Sequence, residues 1–194
     1  NNFLEKYKSK IFNRIIIFCI IPIIFLSLGF DSVKSKLSYF ARRIYNVDEL
    51  VFLNFKVSKN IVVLKRIALP LTETLNFIKN NTAPEEKIFV CNPRHDKTFV
   101  TDMMFYFLAE RDSVTKYFDL HPGLATTLEI QKKIVDELTK FNVRYIIVWK
   151  EKSNIIESNK SSENSGAFEL DNFITTNYEV IKEFSPYTIL KKIS

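Results

Sequence analysis

The chain has 194 residues, 46% of them hydrophobic and 26% charged, a balance that excludes a disordered polymer. Its net charge of +6 is split, with Lys6, Lys8, Lys10 and Arg14 against Glu5 giving +3 in the first thirty residues and the remainder giving another +3; this is too diffuse for a nucleic-acid binder. Three glycines cannot build a glycine-rich phosphate loop, and two cysteines with two histidines lack zinc-site spacing, so neither metal nor cofactor is expected.

From Ile15 to Phe30 the chain reads IIIFCIIPIIFLSLGF, without a charge. With Ile11 and Phe12 it reaches the ~20 residues of a membrane-spanning helix. Arg14 can snorkel to the headgroups, and Pro22 is tolerated in such a helix. A signal peptide ending at Ser27-Leu28-Gly29 and a buried soluble helix are the rival readings; the pattern favours the span. The start at Asn1 instead of Met leads us to expect a missing upstream portion. Basic residues tie across the segment (Lys6, Lys8, Lys10 and Arg14 before, Lys34, Lys36, Arg42 and Arg43 after), so the positive-inside rule leaves orientation open. Cys19 in this segment and Cys91 at the end of an apolar run are not expected to pair.

Residues 31–46 read as a connector, with an interfacial helix as the alternative. Alternation in Leu50–Val57 and β-branching in Ile61–Ile67 predict a hairpin turning at Ser58-Lys59-Asn60. A helix is predicted to begin near Thr72, after Pro70, and to stop at Asn80-Asn81 and Pro84. Lys87–Cys91 reads as a buried strand, followed by the loop Asn92–Asp96. Phe99–Glu110 is predicted helical with an aromatic face of Phe105, Tyr106 and Phe107, and Thr115–Leu120 as a short strand before the turn His121-Pro122-Gly123. A helix over Thr127–Phe141 follows, with capping-box spacing from Thr126 to Glu129 and an apolar stripe of Leu128, Ile134, Val135, Leu138 and Phe141. Val143–Trp149 is the strongest strand signal. Lys152–Gly166 reads as a polar loop, Glu169–Tyr178 as a helix, and Glu179–Phe184 with Tyr187–Ile193 as a closing hairpin. The fold class expected is α/β: one N-terminal transmembrane helix (residues 1–30), a connector and hairpin (31–70), and a mixed-sheet α/β domain with a C-terminal β-hairpin (71–194).

No G-x-S-x-G, Walker, H-E-x-x-H or G-x-G-x-x-G motif occurs. Asp96 with Asp102 and Glu110 with Asp112 are carboxylate pairs in sequence only, and solvated charge is the better reading of them. Loops after strands are where α/β sheets place ligands, which singles out Arg94, His95, Asp96, Arg111 and His121 as substrate or headgroup contacts. Arg111 suits a phosphate, though a structural ion pair is the more economical role. His121 before Pro122-Gly123 is more often a turn residue than an acid or base. The sequons Asn80-Asn81-Thr82 and Asn159-Lys160-Ser161 arise readily in an Asn-rich chain.

The blocks FIKNNTAPEEKIFV (77–90), FYFLAERDSVTKYFDLHPG (105–123), QKKIVDELTKFNVRYIIV (131–148) and LDNFITTNYEVIKEFSPYTILKK (170–192), in this order and spacing, resemble the C-terminal region of polytopic membrane glycosyltransferases. These are related to protein O-mannosyltransferases and lipid A aminoarabinose transferases, of the C-type glycosyltransferase fold. The resemblance implies an extracytoplasmic accessory domain after the last membrane helix. It also implies partners: the lipid bilayer, a polyprenyl-phosphate sugar donor and an acceptor glycan or protein, reached through a missing membrane part that carries the catalytic acids. The family's catalytic residues map onto nothing in this chain. An anchored binding module without enzymatic activity is the alternative, and a self-contained soluble enzyme a third reading.

Overall fold

The computed structural model describes residues 49–59, 61–97, 101–117, 126–150 and 163–193. The expected transmembrane helix, the connector 31–46, His121 and most of the loop 152–166 lie outside them. Among the described residues no helix is long and apolar enough to cross a membrane. Leu50–Ser194 forms one compact unit.

A short antiparallel hairpin opens it, β1 (Leu50–Phe52) pairing with β2 (Val62–Leu64). Both strands are shorter than predicted because the connection is organised from within. Buried Ser58 accepts a hydrogen bond from the Phe55 N–H at 2.9 Å and donates to the Leu53 carbonyl at 2.7 Å. Helix α1 (Lys65–Asn81) begins at Lys65, well before the predicted Thr72, and carries Pro70 inside it. The proline withholds one N–H donor. That cost is outweighed by an apolar stripe that extends back through Ile67, Leu71, Leu75 and Ile78, which packs on the core.

The main sheet has the order β3-β4-β6-β5: β3 (Phe89–Cys91), β4 (Tyr145–Trp149), β5 (Tyr178–Phe184) and β6 (Tyr187–Lys192). β3 and β4 are parallel, while β4–β6 and β5–β6 are antiparallel, the latter forming the expected C-terminal hairpin. The domain is therefore a mixed α/β sheet. Period-two alternation divides its side chains between two cores. Val90, Tyr145, Ile147, Tyr187 and Ile189 meet α1 and α2 (Met104–Ala109), together with Leu53 of the hairpin region. Phe89, Cys91, Ile146, Val148 and Leu190 meet α3 (Leu128–Lys140) and α4 (Glu169–Asn177).

Several predicted details are corrected. Helix α2 occupies only Met104–Ala109, and Glu110 ends it in the left-handed region at φ 55°. Its three aromatics do not share a face, since consecutive helical residues are ~100° apart: Phe105 is buried and Phe107 exposed. Thr115–Tyr117 is not a strand. The strand-like contact comes earlier, where Ser113 bridges Ile88 in parallel, with the Ile88 N–H donating to the Asp112 carbonyl and the Val114 N–H to the Ile88 carbonyl. The Tyr106 hydroxyl accepts from the Val90 N–H at 2.7 Å, so the outer edge of β3 is covered by side chain and loop. The N-cap of α3 is Thr127, whose hydroxyl accepts from the Ile130 N–H; Glu129 pairs with Lys133 in place of closing a capping box. Leu128 and Phe141 lie at the ends of α3 and are exposed. The buried face is Gln131, Ile134 and Leu138.

Leu75→Ala removes a fully buried side chain from the α1 face and is expected to cost about 2–5 kcal/mol. Leu69→Ala, on the exposed face of the same helix, should change stability by less than about 0.5 kcal/mol. Denaturant melts of the two variants against the parent check the contrast.

Candidate functional site

The parallel pair β3–β4 delivers two chain ends to one edge of the sheet. The loop 92–97 leaves β3 there, and Lys150 follows β4. α4 comes in over the same edge. Between them lies a crevice of about 190 Å³, walled by Cys91, Asn92, His95, Lys150, Asp171 and Thr188 among others.

His95 is 2% exposed and is fixed by Asp171, in the first turn of α4. Its Nδ1 lies 2.9 Å from Asp171 Oδ1, and its backbone N–H donates to Oδ2 at 3.3 Å. In the neutral imidazole a carboxylate at Nδ1 selects the tautomer with hydrogen on that nitrogen, which leaves Nε2 as an acceptor. Nε2 is buried and has no hydrogen-bond partner among the described residues. The ring stacks beside Phe89, with centroids 6.2 Å apart.

Arg94 and Asp96 flank the histidine and hold each other. Arg94 Nε donates to Asp96 Oδ1 at 2.8 Å, and the second guanidinium nitrogen reaches Oδ2. Burial pushes the Asp96 carboxyl up, but the Arg94 guanidinium outweighs it and holds the group below the usual carboxylate range. Cys91 is buried; burial, with the Asp171 carboxylate, pushes its thiol far above its ordinary value and leaves it a poor nucleophile.

Gln131 ties these loops together from the middle of α3. Its side-chain nitrogen donates to the carbonyls of His95 (3.0 Å), Thr126 (3.1 Å) and Ala167 (2.9 Å), and its oxygen accepts from the Leu170 N–H at 3.0 Å. Three acceptors on one side and one donor on the other fix the amide orientation. The Ser165 N–H adds a bond to the Asp96 carbonyl and the Ser165 hydroxyl one to Thr126.

Arg111 lies at the opposite end of β3, beside Ile88. It is buried, and its guanidinium donates to the carbonyls of Ala109, Glu110 and Thr82 and to the Thr82 hydroxyl, closing the C-terminal end of α1. The structure thus brings Arg94, His95 and Asp96 together and places Arg111 elsewhere, with backbone carbonyls where a carboxylate partner was expected. Arg111 also borders a second groove of about 520 Å³ with Val57, Met103 and Phe107. Sequence reasoning missed Gln131 and Asp171. A polar residue in register with Ile134 and Leu138 on a buried face was a usable signal for the first; an acidic residue in a helix's first turn is too common to mark the second. Among the described residues no group of His, Cys, Asp and Glu could hold a metal ion.

No protein-family model and no curated protein sequence matches the chain. Among solved structures it is similar to the C-terminal globular domain of an oligosaccharyltransferase from Archaeoglobus fulgidus, with 12% identity and a TM-score of 0.35 over 64% of this chain and 97% of that one.

Gln131→Leu strips the His95 and Ala167 carbonyls and the Leu170 N–H of their Gln131 partner and leaves the Thr126 carbonyl to the Ser165 hydroxyl. It is expected to destabilise by about 2 kcal/mol or more, with hydrogen exchange at the Leu170 amide accelerating beyond the global change. Asp96 works in the acid range. Because its folded pKa is lowered, its contribution is complete above the unfolded value of ~3.9 and is lost as pH falls through the lower folded value. Arg94→Met leaves the buried carboxylate without its cation. Its stability deficit should therefore be largest near neutral pH and shrink on acidification, as read from denaturation midpoints across that range.

Proposed function

We propose that this chain is the C-terminal accessory domain of an integral-membrane glycosyltransferase. In this reading the enzyme moves a sugar from a polyprenyl-phosphate donor to an acceptor glycan or protein on the extracytoplasmic side, and the catalytic acids lie in a membrane part outside this chain. The observation that carries the reading is the coincidence of the four ordered sequence blocks with consecutive parts of one α/β unit. The first runs from α1 into β3, the second from α2 past Ile88, the third from α3 into β4, and the last covers α4, β5 and β6. The uncharged segment Ile15–Phe30, ahead of that unit in sequence, supplies the membrane attachment. Arg94, Asp96, Arg111 and Gln131 are engaged in holding loops, as suits a domain that covers a site and helps select its acceptor. A second reading, an anchored binding module without enzymatic activity, is favoured by the crevice at His95.

The test deletes residues 50–194 from the full-length protein and assays sugar transfer in membranes. We expect the truncated enzyme still to insert while transfer to the acceptor falls about tenfold or more, the scale of a lost positioning contribution. Unchanged rate and acceptor choice would falsify the reading.

A further inference from the structure

We propose that the His95 crevice binds a neutral, hydroxyl-rich ligand the size of one sugar ring, one of whose hydroxyls donates to His95 Nε2. This rests on the crevice and stands apart from the accessory-domain reading. A buried acceptor without a donor costs roughly 1–3 kcal/mol, so such atoms in folded proteins call for an explanation. Here the acceptor belongs to a ring that Asp171 holds by a 2.9 Å contact and that lines the crevice, with Nε2 set back from its surface. The partner missing from a neutral ring is therefore a donor, and an uncharged hydroxyl can supply it.

Charge and volume narrow the class. Among the described residues, both cations at the crevice already have a counter-ion. Lys150 lies 3.0 Å from Glu183 and the neighbouring Arg94 is held by Asp96, while the Asp171 carboxylate accepts from the His95 ring. A phosphate or carboxylate would find no unpaired cation among the described lining residues and would meet the Asp171 carboxylate. A neutral ligand instead meets the Asn92 amide, the Thr188 hydroxyl and the His95 nitrogen. The crevice, about 190 Å³, is smaller than the ~300 Å³ at which drug-sized sites begin, which excludes a nucleotide or a long glycan seated whole. A space of this size suits a single ring or the terminal residue of a chain.

The experiment uses the full 194-residue chain in detergent micelles, labelled with ¹⁵N-histidine and titrated separately with glucose, mannose, N-acetylglucosamine and inorganic phosphate. The spectrum of His95→Phe identifies the His95 resonances. We expect the Nε2 resonance to move saturably with at least one neutral sugar and to stay put with phosphate. Thr188→Val, a near-isosteric change that keeps the fold testable if His95→Phe does not fold, should weaken the same sugar about fivefold, the size of one lost hydrogen bond. Three outcomes overturn the proposal: a Nε2 resonance that answers to none of the sugars, one that answers to phosphate, or sugar binding that Thr188→Val leaves unchanged.

Discussion

The structure depends on β4 being bonded along both edges and buried on both faces. β3 lies parallel on one edge and β6 antiparallel on the other. Ile146 and Ile147 are both fully buried, on opposite faces. A strand so placed needs apolar cover above and below. α1 and α2 supply it on one face, α3 and α4 on the other. The parallel pairing also forces a long crossover between β3 and β4, because parallel neighbours cannot be joined by a tight turn. Helix α3 lies in that crossover, and Gln131 faces inward from it.

That crossover makes the crevice. The carboxyl ends of β3 and β4 open at the same edge, where ligands of α/β sheets are usually found. Here the edge is held by a relay of polar contacts. Asp171 fixes the His95 ring, Gln131 fixes the His95 carbonyl, and Arg94 with Asp96 closes the loop next to them. The other end of β3 is closed in the same manner by Arg111, whose charge is spread over backbone carbonyls at the ends of α1 and α2. One end is closed around a space, the other around a helix terminus. The same residue type, arginine after a strand or helix, therefore does different work at the two ends.

Much of this was legible in advance. Short apolar runs rich in strand-forming residues placed β3 and β4, the two runs around Ser185-Pro186 placed the closing hairpin, and a 3.6-residue stripe placed α3, because burial on a regular element leaves a regular trace. The failures have physical causes. Pro70 read as a helix boundary, yet the stripe from Ile67 to Ile78 was long enough to carry the helix through it. Phe105, Tyr106 and Phe107 read as one aromatic face, although a helix separates neighbours by ~100°. Thr115–Leu120 was predicted as a strand, whereas the bridge to Ile88 forms at Ser113, two residues before that run begins.

The sequence by itself determined the α/β class, the mixed sheet and the final hairpin, because these follow from the periodicity of apolar side chains along the chain. It also marked Arg94, His95 and Asp96 as a group, because they are adjacent residues after a strand. Only the tertiary structure decided that Arg111 belongs to a different end of the sheet, and that Gln131 and Asp171, 36 and 76 residues away, complete the histidine's surroundings. The physical reason is the same for each: hydrogen bonds between side chains and distant loops have no period, and the pairing of β3 with β4 sets which loops meet.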